Sequence, residues 1–261
     1  MAGRWLPTLG LPALGLPMLR LGVLGLAVTL GGCTTFRPVP QVSPLPSDVA
    51  FAWPSVLDQA VDDTGQVDFR GLQAVHGALD IAVAAVAATD LQALPDRRAQ
   101  LAFLINANNI LWVYDVVRSG IPDRLGAVGR ADLMRLTQFD VAGQPRSLVG
   151  LWRDVITPLA SGPGGDWRVP LALYCPAVSC PRLARTPYTA EGLDAQLDAA
   201  ARRFIGDPAN VVVDPAAPVV RVNALLAHTP GLRATLEQYG AAAPKGYRIE
   251  AMAFDWTVPA P

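Results

Sequence analysis

Histidine is nearly absent from this 261-residue chain, which has two, His76 and His228. Cysteine is almost as scarce, at three: Cys33, Cys175 and Cys180. Few histidines leave few groups able to take a proton from a nucleophile near neutral pH. Basic clusters are missing too, and with a formal net charge of −1 nucleic acid is not an expected partner. The apolar run from Leu21 to Leu30, ten residues, is too short to span a bilayer as a helix. Internal repeats, phosphate-cradling glycine loops and coiled-coil heptads are also lacking. Two cysteines with a four-residue spacer, without neighbouring His or acidic ligands, fall short of a tetrahedral zinc set. No metal and no cofactor is therefore expected.

The first 32 residues contain no Asp or Glu, and Arg4 and Arg20 are their only charges. The apolar run inside them is the core of a signal peptide. Leu30-Gly31-Gly32-Cys33 follows and resembles the bacterial lipobox, at which the chain is cut before a cysteine that is then lipidated. Met18-Leu19-Arg20 would itself make a compact start, so translation begins at Met1 or Met18. By resemblance to Gram-negative sorting, Thr34 rather than Asp after the cysteine implies an outer-membrane lipoprotein facing the periplasm. The expected division is residues 1–32 as lipoprotein signal, 33–47 as lipidated N-terminus and Pro-rich tether, and 48–261 as a single domain.

In that domain the spacing predicts a short helix over Trp53–Val61, a turn at Asp62-Asp63-Thr64-Gly65 and a short strand at Val67-Asp68-Phe69. Leu72, Val75, Leu79, Val83 and Val86 then recur as one helical face ending near Thr89, with His76 as a packing residue on its border. Asp96 should cap a long helix to about Arg118, with Gly120 just past its end. This helix is apolar nearly all round between Leu101 and Val117, so it should be the central buried one. Asn106 and Asn109 lie three apart on it, and buried amides need partners. They either bond the backbone of the cysteine loop or orient a substrate or catalytic group.

Further on, hairpins are expected at Phe139–Leu148 and at Val211–Val222, and helices after Ser147, after Thr189 to Ile205 and from Pro230 to Gly240. A last strand should run from Tyr247 to Phe254. Helices and short strands without a βαβ repeat give an α+β class: a helix-rich single domain with a small, mostly antiparallel sheet.

The stretch Arg168–Leu183 carries the chemistry. Its first seven residues look like a buried strand ending at Cys175, and Pro181 after Cys180 is a favoured opening for a helical turn. A thiol at a helix N-terminus has a lowered pKa. The pair is a reactive thiol, a structural disulfide, or the remains of an active site. In an oxidising periplasm a disulfide is the expected state.

Ser179-Cys180-Pro181-Arg182-Leu183, the Asn-x-x-Asn of Asn106 and Asn109, Gly65-Gln66-Val67-Asp68-Phe69 and Asp255-Trp256 resemble the domain-of-unknown-function family 547. The resemblance runs from about Val49 to Trp256, and it implies a distant similarity to papain-like or transglutaminase-like folds. Relatives typically carry Glu-His after a Ser-Leu pattern, where this chain has Trp152 and Arg153 after Ser147 and Leu148. A second family His stands where Pro170 is, and a third where Tyr114 is; Leu104 and Asn108 depart as well. A Cys-His enzyme would need His76 or His228 brought to the thiols. Expected is thus a lipid-anchored envelope protein with a non-catalytic binding or structural role, whose other partner is a protein or small molecule. The alternative is a cysteine-dependent hydrolase or acyltransferase acting on peptides or amides in the periplasm, with Cys175, Cys180, Asn106 and Asn109 as its candidate residues.

Overall fold

The computed structural model describes residues 35–43, 46–74, 76–120, 132–162 and 165–258. Cys33 and the signal expected before it lie outside these residues, as does Val75. Residues Cys33–Pro261 form one compact unit. Its class is α+β, helix-rich with two small sheets.

The helices begin and end where local chemistry directs. The central helix α4 (Arg97–Ser119) is capped by Asp96, whose carboxylate accepts from the Ala99 N–H, and it stops at Gly120 with φ +90°. From Leu101 to Val117 nearly every side chain is buried. Before it stand α1 (Pro46–Ala60), α2 (Phe69–Ala74) and α3 (Gly77–Ala88). The single helix expected over Leu72–Val86 is therefore two, with His76 in the turn between them and Gly77 opening the second. Leu72, Leu79, Val83 and Val86 are buried as expected. The strand expected at 67–69 is instead an isolated bridge between Val61 and Val67, and Phe69 already starts α2.

In the first sheet β1 (Thr35–Phe36) lies parallel to β2 (Thr137–Val141), and β2 lies antiparallel to β3 (Gln144–Arg146). The β2–β3 turn places Ala142 and Gly143 at φ +54° and +71°, the left-handed pair of a tight hairpin. In the second, β4 (Val211–Asp214) and β5 (Val219–Val222) form the expected hairpin, and β6 (Arg248–Ala251) joins β5 in parallel. Each sheet thus gains a parallel strand from a distant segment, which a reading of local hairpins does not see.

Ser147 caps the next helix through the Gly150 N–H. The turns Leu148–Gly150, Leu151–Ile156 and Thr157–Ser161 run on as one helix, α5 (148–161). Its middle turn is wide: the Thr157 N–H reaches back five residues to the Trp152 carbonyl. Pro158 has no N–H to continue the regular ladder, which accounts for the widening. Helices α6 (Leu193–Gly206) and α7 (Leu232–Gln238) complete the fold. Thr189 accepts from the Gly192 N–H at the start of α6, and Leu193, Leu197, Ala200, Ala201 and Phe204 are buried.

Part of the stretch read as a tether is docked. Beside the β1–β2 pairing, the Arg37 N–H donates to the Gln138 carbonyl and its guanidinium to Asp115 at 2.8 Å and Ser119 at 2.7 Å. Asp115 is fully buried. Burial pushes its carboxyl up, and Arg37 pulls it back toward the charged form.

Among the described residues no helix is long and apolar enough to cross a membrane.

Candidate functional site

The approach to Cys175 is not a strand. Val169–Ala172 is a 3-10 turn, and residues 173–183 are irregular. Two causes act together. Asp166 accepts from the Arg168 backbone N–H at 2.9 Å and grips its guanidinium at 2.6 Å, starting a tight turn. Pro170 then offers no N–H to a sheet neighbour. Spacing by three suits the packing: Val169 and Ala172 face the larger core, while Leu171 between them enters the second core with Ala201, Phe204 and Val220.

Backbone groups that a sheet would have paired are taken by α4. Asn109 accepts from the Tyr174 N–H at 2.9 Å and donates to the Ala172 carbonyl at 3.1 Å. Asn108 donates to the Tyr174 carbonyl at 3.1 Å and to the Asn109 side-chain oxygen at 3.0 Å. Asn106 does the same work on another segment, accepting from the Tyr188 N–H and donating to the Tyr188 carbonyl. Asn106 and Asn109 therefore hold two different stretches of backbone, and their amides are occupied in doing so.

Cys175 and Cys180 are bonded as a disulfide, with their Cα atoms 5.5 Å apart. Pro181 does not open a helix; the chain continues irregularly to Leu183, whose N–H donates to the Gly65 carbonyl, and no helix begins before α6. The cysteine loop itself thus opens no helix after Cys180. At Gly65, φ is +82° and a Cβ would lie 2.6 Å from the Leu183 carbonyl, so this close approach requires glycine. The far side of the loop is held as well. Val178 and Ser179 donate backbone N–H groups to Thr257 and Asp255, and the Ser179 hydroxyl accepts from the Asp255 N–H. Asn223 donates to the Ser179 carbonyl at 2.9 Å and to Asn210 at 2.8 Å, and Asn210 donates to the Phe204 carbonyl.

Two openings adjoin this frame. A cleft of about 480 Å³ is lined by Trp152, Thr157, Trp167, Pro170, Leu173 and His228 among others. A smaller pocket of about 170 Å³ is walled by Asn108, Trp112, Trp152, Pro170 and both cysteines. Trp152, Pro170, Leu173 and Leu225 belong to both linings. The wide turn of α5 carries Trp152, which stays 47% exposed while lining both openings.

The remaining candidate groups offer no base beside the sulfurs. His76 is exposed and bonds Asp80 at 2.9 Å, and Asp80 also takes Arg118 at 2.6 Å. His228 lines the larger cleft and does not line the pocket that the cysteines wall. Arg153 is exposed and paired with its neighbour Asp154 at 2.6 Å. Burial pushes the Tyr174 phenol well above its ordinary value and that of Tyr188 up to about 12, so both stay neutral. Among the described residues no three His, Cys, Asp or Glu side chains gather as a metal site.

Against known proteins, residues 91–205 match the model of a family described as "Protein of unknown function, DUF547". This segment is a DUF547 region. It contains α4, the cysteine loop and nearly all of α6, but not Gly65, Asn223, Asp255 or Thr257, which brace the loop from outside it. No curated protein and no solved structure matches the chain. Within the DUF547 region, the family resemblance had placed a Glu and a His at the positions of Trp152 and Pro170, and both line the cleft. Asn108, Asn210, Asn223 and Trp167 were not singled out from sequence as site residues. Buried amides on separate segments carry no local signal of the backbone they will hold.

Proposed function

We propose that this chain is a lipid-anchored cell-envelope protein that binds an apolar group in the Trp152–Trp167 cleft and turns over no substrate through a thiol. One observation carries the reading: where the family pattern has a carboxylate and an imidazole, this chain presents Trp152 and Pro170 to the opening beside a closed disulfide. Pro170 has no side-chain proton acceptor, and Trp152 cannot orient an imidazole. A disulfide sulfur is not a thiolate. Loss of a general base costs about a hundred- to ten-thousand-fold in rate. What is left is a concave apolar surface with a few polar groups at its edge, which is how binding sites are built.

The test uses the purified protein and a fluorescent apolar probe such as anilinonaphthalene sulfonate. Trp152→Ala should weaken probe binding about tenfold, as expected for the loss of about 1.4 kcal/mol of aromatic contact. Equal binding by both proteins argues against the cleft. After reduction, the wild type and a Cys175→Ala, Cys180→Ala protein are assayed on a peptide and amide library. Turnover confined to the wild type would establish the hydrolase alternative instead. The anchor is tested separately: palmitate should label the wild type and not Cys33→Ser.

A further inference from the structure

The lipid anchor proposed above leaves almost no slack between membrane and domain. Thr35 is paired with Thr137 and Phe36 with Gln138 in β1–β2. One residue later Arg37 is tied by its backbone to Gln138 and by its guanidinium to the fully buried Asp115. Breaking that pair would strand a carboxyl in the interior, so the chain is fixed from Thr35 onward. Only Thr34 stands between Cys33 and β1. Two residue steps span at most about 7 Å, comparable to the depth of a lipid headgroup layer and far less than a flexible tether gives. Phe36 lies on this edge strand and is 53% exposed, where apolar side chains of its size are usually covered.

We infer that, once anchored at Cys33, the domain rests directly on the bilayer, with β1 at the headgroups and the Phe36 ring inserted among them. The occupant of this exposed apolar site is thus a lipid surface. The Pro-rich segment after it, with Val39, Pro40 and Val42 half-buried, continues the domain and does not space it from the membrane. An aromatic ring at the interface gains from burying its face while the backbone stays hydrated. A protein held this way has a set orientation on the membrane, which a free linker would not impose.

The inference rests on the lipoprotein reading, and the experiment separates the two. Phe36→Cys is made in the full chain, oxidised so that Cys175 and Cys180 stay bonded, and labelled with an environment-sensitive nitrobenzoxadiazole dye. The purified protein is placed in phosphatidylethanolamine–phosphatidylglycerol vesicles carrying a headgroup-level nitroxide lipid. Expected are a blue-shifted, strongly quenched dye and loss of both effects when about twelve Gly/Ser residues, reaching roughly 20 Å, are inserted between Thr34 and Thr35. Far-UV circular dichroism checks that the variants fold, and vesicle flotation checks that they are anchored. Flotation with an unquenched dye, or quenching that the insertion leaves unchanged, overturns the direct seating while the anchor stands. Mass spectrometry showing no lipid on Cys33 overturns both.

Discussion

The runs Val169–Ala172 and Val219–Val222 are both mostly buried and apolar, and they differ in form. The first curls into a 3-10 turn, and the second is the middle strand of a sheet, bonded on both sides. Val219, Val220 and Val222 are as buried as Val169, Leu171 and Ala172, so the wish to leave water does not separate them. Pro170, which lacks an N–H, and the source of their hydrogen-bond partners do. Val219–Val222 meets other backbone, from β4 and β6. The stretch ending at Tyr174 meets side-chain amides on α4, which satisfy its polar groups without the repeat of a ladder. A stretch held in this way can bend, and here it bends to set a disulfide into the wall of a pocket.

The comparison can be broken at its strongest joint. Asn109→Leu leaves the Tyr174 N–H and the Ala172 carbonyl buried and unpaired, and each such group costs about 1–3 kcal/mol. The expected loss in denaturant unfolding is about 3–5 kcal/mol, the largest among these variants. Asn223→Ala cuts the link between the two regions, because Asn223 follows β5 and holds Ser179 of the cysteine loop. It should cost about 2–3 kcal/mol and loosen the loop while the β4–β5 pairing persists, as amide exchange in both regions would reveal. Replacing both Cys175 and Cys180 by Ser should cost about 2 kcal/mol, since so short a loop removes little entropy from the unfolded chain. Protein taken from the envelope and alkylated without reduction should show neither thiol labelled.

Smaller effects sharpen the contrast. Asp166→Asn weakens the grip on Arg168 at the start of the 3-10 turn and should cost about 1–2 kcal/mol. Burial opposes ionisation of Asp166, but the bonds from Arg168 prevail and hold its carboxyl below the usual range. A carboxyl lowered by folding adds stability above its unfolded value, and this is lost as pH falls through the folded value. Acid should therefore narrow the gap between wild type and Asp166→Asn in parallel urea titrations. Val212→Thr, on the exposed face of β4, should stay within about 0.5 kcal/mol of wild type.

Much of the fold was legible because its signals are local. Asp96, Ser147, Thr189 and Gly120 mark helix ends through bonds or dihedrals within a few residues of themselves. The β4–β5 hairpin likewise declares itself by its turn, in which Asp214 accepts from the Ala216 N–H. The 3-10 turn before Cys175 was not legible, since Asn109 lies more than sixty residues from the backbone it satisfies. Neither was the docking of Arg37, whose partner Asp115 is equally remote. Pro-rich composition suits a linker, and only the buried carboxyl on α4 reveals that this segment is held. At the site, the two cysteines and the two asparagines were visible as residue types. Their role as a frame, with Asn108, Asn210 and Asn223 beside them, depends on contacts between distant segments.

The account turns on the claim that side-chain amides of α4 hold the approach to the disulfide as firmly as a sheet would. Native-state hydrogen exchange at the Tyr174 amide tests it most directly. The account predicts that this amide exchanges as slowly as the buried N–H groups in the middle of α4, and that Asn109→Leu abolishes its protection before the protein unfolds globally. Exchange of the wild-type amide at the rate of an exposed loop, or protection that survives in Asn109→Leu, would contradict it.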